Sequence, residues 1–599
     1  MTTPSPMLES GSPTSFTVTS DGAPISSTFQ IISIDTWSAV NQVPKARLVL
    51  FDGSAAARDF PISNLDVFIP GKKIEITAGY DGRNETIFHG IVVKQGIEIN
   101  DNDGARLVVD ITDPAIRMTL ARSSAIFSDT TDSDLIGKLI GNAGLSKDVA
   151  ATSLSYESIV QYYASDWDLM IARAEVNGLV VMVENGKVTV KAPDTSQPPV
   201  LAIEFGSSIL DLQVEMNAAT QYAASAITSL SWDPATQKIS QSSAPSLSMT
   251  QQGNISSAAL AKVFGVTSFP QQTGAPIAAG ALEAWSAAEM MKSMLSKIRG
   301  HVRFQGSALA KLGKTIELSG VGERFGGPAF ISGLHHSISD GRWLTTTHFG
   351  LSAEWFAAAA PDIAGPGAAG QLPPIKGLQT GIVQKISNDP AGAFRVFVSL
   401  PLLQADGEGV WARLGSFYAS SGFGAAFYPE VNDEVVVGFM NEDPRYPVIL
   451  GSLYSQSRAP VPAPDEANNR KAVTTRSKLE VAFDEEKKII AITTPGGHSV
   501  KLDDDGRSIS ITDSNSNSVV LSSSGIKIDS AGDIDLSAKG NITVSAGGNL
   551  SLSAVANATM SGLQVIHSAE AKFSASGNAD AELTAAGQVT VKGALVMIN

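Results

Sequence analysis

The sequence predicts a mainly β protein: a strand-rich N-terminal region with a few helices, a small closed barrel of the OB type, and a C-terminal β-helix intertwined from three chains. Three observations carry that expectation. Glycine recurs every eighth residue in GDIDLSAKGNITVSAGGNLSLSAV, at Gly532, Gly540 and Gly548, each followed by an acidic or amide residue and an alternating apolar pair. Residues 376–455 read as five or six short strands separated by turn signals. Upstream, residues 21–356 hold period-two runs with brief helical interruptions. At 599 residues the chain is too long for one core, and three to five domains are expected.

Residues 1–20 are expected to be a flexible N-terminus. In 21–356, KIEITAGY, ARLVVDIT and GKVTVKA alternate as half-buried strands, because successive side chains on a strand point to opposite faces. SDLIGKLIGNAGL predicts a short helix capped by Ser133 and closing near Gly144. The clearest helix covers 279–299, where Leu282, Trp285, Met291, Leu295 and Ile298 fall near one face; such a stripe reads as core packing.

Two Pro-, Gly- and Ala-rich stretches, 357–375 and 456–489, are expected linkers. Between them, Asn388-Asp389-Pro390, Gly407, Gly422, Asn432-Asp433 and Asp443-Pro444 punctuate the strands of the small barrel.

The last domain, 490–599, carries the glycine ladder. In each repeat the glycine supplies a positive-φ corner, and Ile534 and Leu536, Ile542 and Val544, and Leu550 and Leu552 share a strand face. A five-residue strand spans roughly 17 Å, one side of a triangular prism. Either three repeats of one chain complete a coil, or three chains each supply a side. The apolar rows are narrow, and threefold winding gives each row two partners and no free edge, so the three-chain form is favoured with these six residues as its core.

Bulk properties exclude several classes. No run of 18 apolar residues could cross a bilayer as a helix, and MTTPSPMLESGSPTSFTV lacks the basic and apolar segments of a secretory signal, so cytoplasmic synthesis is expected. Zero cysteines exclude disulfides and thiolate metal sites. The net charge of −16, or −48 for a trimer (3 × 16), argues against nucleic-acid binding.

Several segments resemble the VgrG and phage-tail spike proteins (the Rhs-element Vgr family) of contractile injection systems. GLQTGIVQKISNDPAGAFRVFVSLP, GVWARL and FYPEVNDEVVVGFMNEDPRYPVILGSLYS are similar to the family's OB domain. FIPGKKIEITAGYDGRNETIFHGIVVKQ, YYASDWDLMIARAEVNGLVVMVENGKVTV and GVGERFGGPAFISGLHHSISDGRWLTTTHFGL resemble its hub, and ITTPGGHSVKLDDDGRSISITDSNSNSVVL resembles the entry to its trimeric β-helix. ISSTFQIISIDTWSAVNQVPKARLVLFDG is closer to spikes of extracellular and related systems than to ordinary type VI ones. The resemblance implies a homotrimer whose hub β-barrels dock on a hexameric, Hcp-like inner tube beside baseplate hub proteins. Its needle would meet the target membrane on firing, carrying a PAAR-type tip or an effector; the particle is cytoplasmic before firing and extracellular, or in the target envelope, afterwards.

No catalytic, cofactor-binding or metal-ligating residue is expected, and the chain reads as a structural protein rather than an enzyme. The 35 residues between barrel and ladder cannot hold a hydrolase core. Gly313-Lys314-Thr315 falls short of a phosphate loop, because Ala308 stands where its first glycine belongs. Gly422 opens GFGAAF, a barrel loop rather than a dinucleotide fingerprint. His335 and His336 sit on opposite strand faces and cannot share a metal, and Asp503–Asp505 lacks calcium-loop spacing. His567 stands alone, and only threefold symmetry could make it a ligand set. The alternative is a β-helical tail fibre acting in receptor or polysaccharide binding. It would need exposed aromatics and paired carboxylates, and after residue 521 the only aromatic is Phe573. At the tip, Leu595, Val596, Met597, Ile598 and Asn599 would leave an apolar end that invites a covering cone protein.

Overall fold

The computed structural model describes residues 3–7, 12–101, 104–360, 363–402 and 408–598. The chain divides into two compact units, Met1–Leu453 and Tyr454–Asn599.

The first unit is built on a 13-stranded, largely antiparallel sheet with two cores. Lys45–Phe51 shows how alternation makes the first: Ala46, Leu48 and Leu50 point inward and join Ile74, Ile76, Leu107 and Ile111. The second gathers Val302, Phe304, Ile316, Leu318, Ile331 and Phe349. Gly327–Ser339 pairs with Ile31–Ala39 and makes the two halves one continuous sheet. The N-terminal stretch departs from the flexible expectation, because Thr14–Ser20 is a strand paired with Lys73–Tyr80 and Val18 is buried.

Helices Asp132–Asn142 and Asp166–Glu175 cover a third core containing Leu135, Leu139, Trp167, Met170, Val181 and Val190. The first helix is capped by Thr131 rather than Ser133: the Thr131 hydroxyl accepts the Asp134 amide at 3.1 Å, while Ser133 bonds Thr152. Buried Asp132 takes a two-pronged pair from Arg173, at 2.6 and 2.9 Å, plus the Asn177 amide. The long helix runs Ala279–Leu295. It stops short of 299 because Ile298 belongs to the second core, on a strand paired with Asp211–Met216. Leu282, Met291 and Leu295 are buried, whereas Trp285 lines a cavity of about 960 Å³ with Tyr222, Phe269 and Trp355.

The described residues of the expected linker 357–375 are tied to their surroundings at two points. Arg122 donates to the Ile363 carbonyl at 2.8 Å, and the Ile375 amide to Glu442 O at 2.9 Å. The five strands that follow, Gln379–Lys385, Val396–Ser399, Gly409–Leu414, Glu434–Phe439 and Pro447–Ser452, close into a barrel around Val383, Val396, Val398, Ala412, Val435, Val437 and Ile449. The Asp389 turn is real: its carboxylate accepts the amides of Ala391, Ala393 and Arg395 and faces the Arg395 guanidinium, which holds its pKa well below the usual range. Gly407 lies outside the described residues.

In the second unit, strands begin at Arg470 rather than 490. Arg470–Thr474, Glu480–Asp484, Ile489–Thr493, Ser499–Asp503, Ser508–Thr512, Ser518–Ser522 and Gly525–Asp529 form one antiparallel meander in sequence order. About a third of the supposed linker 456–489 is therefore strand.

Candidate functional site

The register of the meander aligns its side chains into two apolar columns. Val473, Val481, Ile492, Val500, Ile511, Val519 and Ile528 stand directly opposite one another across the seven strands. Phe483, Ile490, Leu502, Ile509, Leu521 and Ile526 form the second column. The intervening row, Ala472, Ala482, Ala491, Lys501, Ser510, Val520 and Lys527, alternates onto the other face and is small or polar apart from Val520. Apart from Lys471, which stands opposite Phe483, this face is apolar, and much of it is open in the single chain: Ile511 is 50% exposed, Val473 53% and Ile528 59%, while Val500 and Val519 are half-buried. A sheet with an uncovered apolar face is incomplete as an isolated chain.

Turns keep the register. Asp503 accepts the Gly506 amide at 2.6 Å and Lys501 Nζ at 2.6 Å, so the Asp503–Asp505 cluster is a hairpin corner. Asp513 accepts the amides of Asn515 and Asn517 at 2.9 and 2.8 Å. Asn517 in turn receives Ser530 Oγ and the Ala531 amide, each at 2.9 Å, tying the start of the glycine ladder to the last hairpins.

From residue 531 to 598 the described chain is exposed, bends at short intervals and forms no strand within itself. Ile534 lines the same groove, about 520 Å³, as Ile492, Val500, Ile511, Val519 and Ile528. Leu536, Ile542, Val544, Leu550 and Leu552 are all exposed, Val544 at 65%. Leu595, Val596, Met597 and Ile598 are exposed as well, and Asn599 lies outside the described residues. Sequence reasoning missed the columns from Val473 to Phe483, although the alternation in KLEVAFD was there to be read.

The other motifs resolve as ordinary structure. Gly313, at φ 75°, turns into a strand whose first residue, Thr315, is buried and bonds the Gln197 carbonyl. His335 stacks on Trp37 at 5.0 Å and bonds Asp35, while His336 faces the opposite way, buried, against Thr345 Oγ1 at 2.9 Å. Burial pushes the His336 pKa down to about 4, so it is neutral. Among the described residues no group of three His, Asp or Glu side chains is placed to hold a metal, and no helix is long and apolar enough to cross a membrane.

The model of the Alg8 N-terminal domain matches residues 10–340, and that of the type VI secretion system/phage-baseplate injector OB domain matches 379–454. The type VI secretion system spike protein VgrG5 of Pseudomonas aeruginosa is 33% identical over 125 residues, 20% of this chain and 15% of that relative. The 43 kDa tail protein of prophage MuSo2 from Shewanella oneidensis overlays at TM-score 0.42 and 9% identity, covering 57% of this chain and 99% of that one. An E. coli component of the type VI secretion system, itself similar in structure to the T4 bacteriophage tail proteins gp27 and gp5, overlays at TM-score 0.35 and 13% identity, covering 73% and 99%.

Proposed function

This chain belongs to the Alg8 N-terminal domain family, and from that premise we propose that it is the structural, non-enzymatic central spike of a contractile injection machine, of the extracellular type. The observation that carries the reading is the seven-stranded sheet with one largely uncovered apolar face, leading straight into an exposed ladder that, among the described residues, forms no strand within its own chain. Three copies satisfy both at once: their sheets turn the apolar columns inward, and Ile534, Leu536, Ile542, Val544, Leu550 and Leu552 of each copy fill a three-sided needle. The N-terminal sheet docks on a hexameric inner tube and baseplate hub proteins. Leu595–Asn599 of three copies seat a PAAR-type cone that carries the cargo, and the target membrane is met on firing. Sedimentation tests the reading: the full chain should run at three times 62.4 kDa at micromolar concentration. A monomer would overturn it.

A further inference from the structure

Beside the long helix Ala279–Leu295 the first unit leaves a cavity of about 960 Å³, walled by Tyr222, Phe269, Trp285 and Trp355. Protein interiors keep few voids larger than a water molecule, so a space of this size is no packing fault. The Tyr222 and Phe269 rings stack at 4.3 Å. A buried carboxylate stands in the same wall. Glu289 is only 4% exposed, and its Oε2 accepts both Trp355 Nε1 at 2.7 Å and Gln271 Nε2 at 3.1 Å. Both bonds fall on one oxygen, so Oε1 has no hydrogen-bond partner among the described residues. Burial raises the pKa of this carboxyl, a cost that a bound cation would offset. The nearby cations are already committed, Arg173 to Asp132 and Lys292 to Glu175. Glu354, also in the wall, has no ion pair among the described residues.

We propose that this cavity receives an extended segment of a partner protein, with a lysine or arginine at Glu289 and apolar residues two positions to either side. The charge selects the basic side chain. Glu289 and Glu354 are left uncompensated, and walls of tryptophan, tyrosine and phenylalanine suit a cation that has shed its water. The carboxylate oxygen without a partner costs energy until a donor meets it. The strand edge selects an extended chain. Phe269–Thr273 is the outer strand of a three-stranded sheet, paired with Ile227–Asp233 on one side and with no described strand on the other. Its alternate residues Phe269, Gln271 and Thr273 line the cavity. A chain added along that edge turns every second side chain to the same face, and so into the cavity. The volume lies at the top of the range that one small ligand fills, about 300–1,000 Å³. The net charge of −16 also draws basic segments toward the chain. All of these residues belong to the first unit, so the site stands independently of the needle.

Fluorescence anisotropy with the full-length protein tests this. The ligand is an end-labelled peptide, Thr-Leu-Thr-Arg-Thr-Leu-Thr, whose alternation puts leucine, arginine and leucine on one face. Versions with lysine, leucine or glutamate at the centre complete the series. The arginine and lysine peptides should bind about tenfold or more tighter than the leucine and glutamate ones. Glu289→Gln, which keeps the shape and removes the charge, should abolish that preference. Ala284→Trp, which fills the cavity from the long helix, should abolish binding of all four peptides. The comparison among peptides needs no variant, so it holds even where a substitution fails to fold. No saturable binding of the arginine peptide up to millimolar concentration would overturn the proposal. So would equal binding of all four, or full binding to a folded Ala284→Trp protein. Quenching of tryptophan fluorescence by tetramethylammonium without any peptide binding would overturn the partner segment and leave a site for small organic cations.

Discussion

Replacing Ile511 with Asp should abolish assembly while leaving the N-terminal unit folded. Ile511 sits mid-column between Val500 and Val519 and is 50% exposed in the single chain. Full burial of an isoleucine contributes about 1.5–3 kcal/mol, so covering the exposed half adds about 1 kcal/mol per copy, or about 3 kcal/mol over three copies. Aspartate forfeits that and places three carboxylates without partners in one apolar interior, at several kcal/mol each unless they take up protons. The combined cost is on the order of 10 kcal/mol, a loss of roughly 10⁷ in the association constant. In the isolated chain the same position is half in water, and the penalty is the strand preference of about 1 kcal/mol. Sedimentation velocity at micromolar concentration should show a monomer, and calorimetry should retain the N-terminal transition. Ser510→Asp is the control, on the opposite face and directly across from Lys501. A trimeric Ile511→Asp protein with an unchanged transition would refute the inward assignment; equal disruption by Ser510→Asp would refute its dependence on the apolar face.

Buried, neutral His336 makes stability depend on acid. Its folded pKa of about 4 lies below the ordinary histidine value of 6.5, so between those values the unfolded chain binds more protons. The contribution is complete above about pH 6.5 and falls as pH drops toward 4, by at most about 3 kcal/mol; His336→Gln should flatten that slope in urea titrations across this range. Lys297 Nζ donates to Gln251 Oε1 and to the carbonyls of Gln252 and Ile255, at 3.1, 2.6 and 2.9 Å. Lys297→Met should therefore cost about 1–3 kcal/mol through the orphaned acceptors, read as a lowered melting temperature and faster amide exchange around residue 252. Deleting Ala594–Asn599 should leave a soluble trimer that no longer retains a cone protein in co-purification, and retention would place the docking surface elsewhere.

The candidate site is legible wherever one strand's own alternation suffices. Ile542 and Val544 announce a shared face because period two is a property of the backbone, and the glycines at eight-residue spacing announce a repeat for the same local reason. Residues 470–489 read as linker because a short alternating run beside prolines carries too little local signal. Only pairing Phe483 with Ile490, and Val481 with Ile492, shows that they extend the columns.

Alone, the sequence determined the β character, the small barrel and the glycine ladder, since each is a pattern within a few consecutive residues. Tertiary structure decided what depends on partners distant in the chain. It took Thr14–Ser20 out of the flexible terminus by pairing it with residues some 60 positions away. It ended the long helix before Ile298, whose side chain is claimed by a core that the helix does not reach. It also turned seven separate alternating strands into a single face, because register is set between strands, and only register decides whether thirteen apolar side chains stand together or scatter.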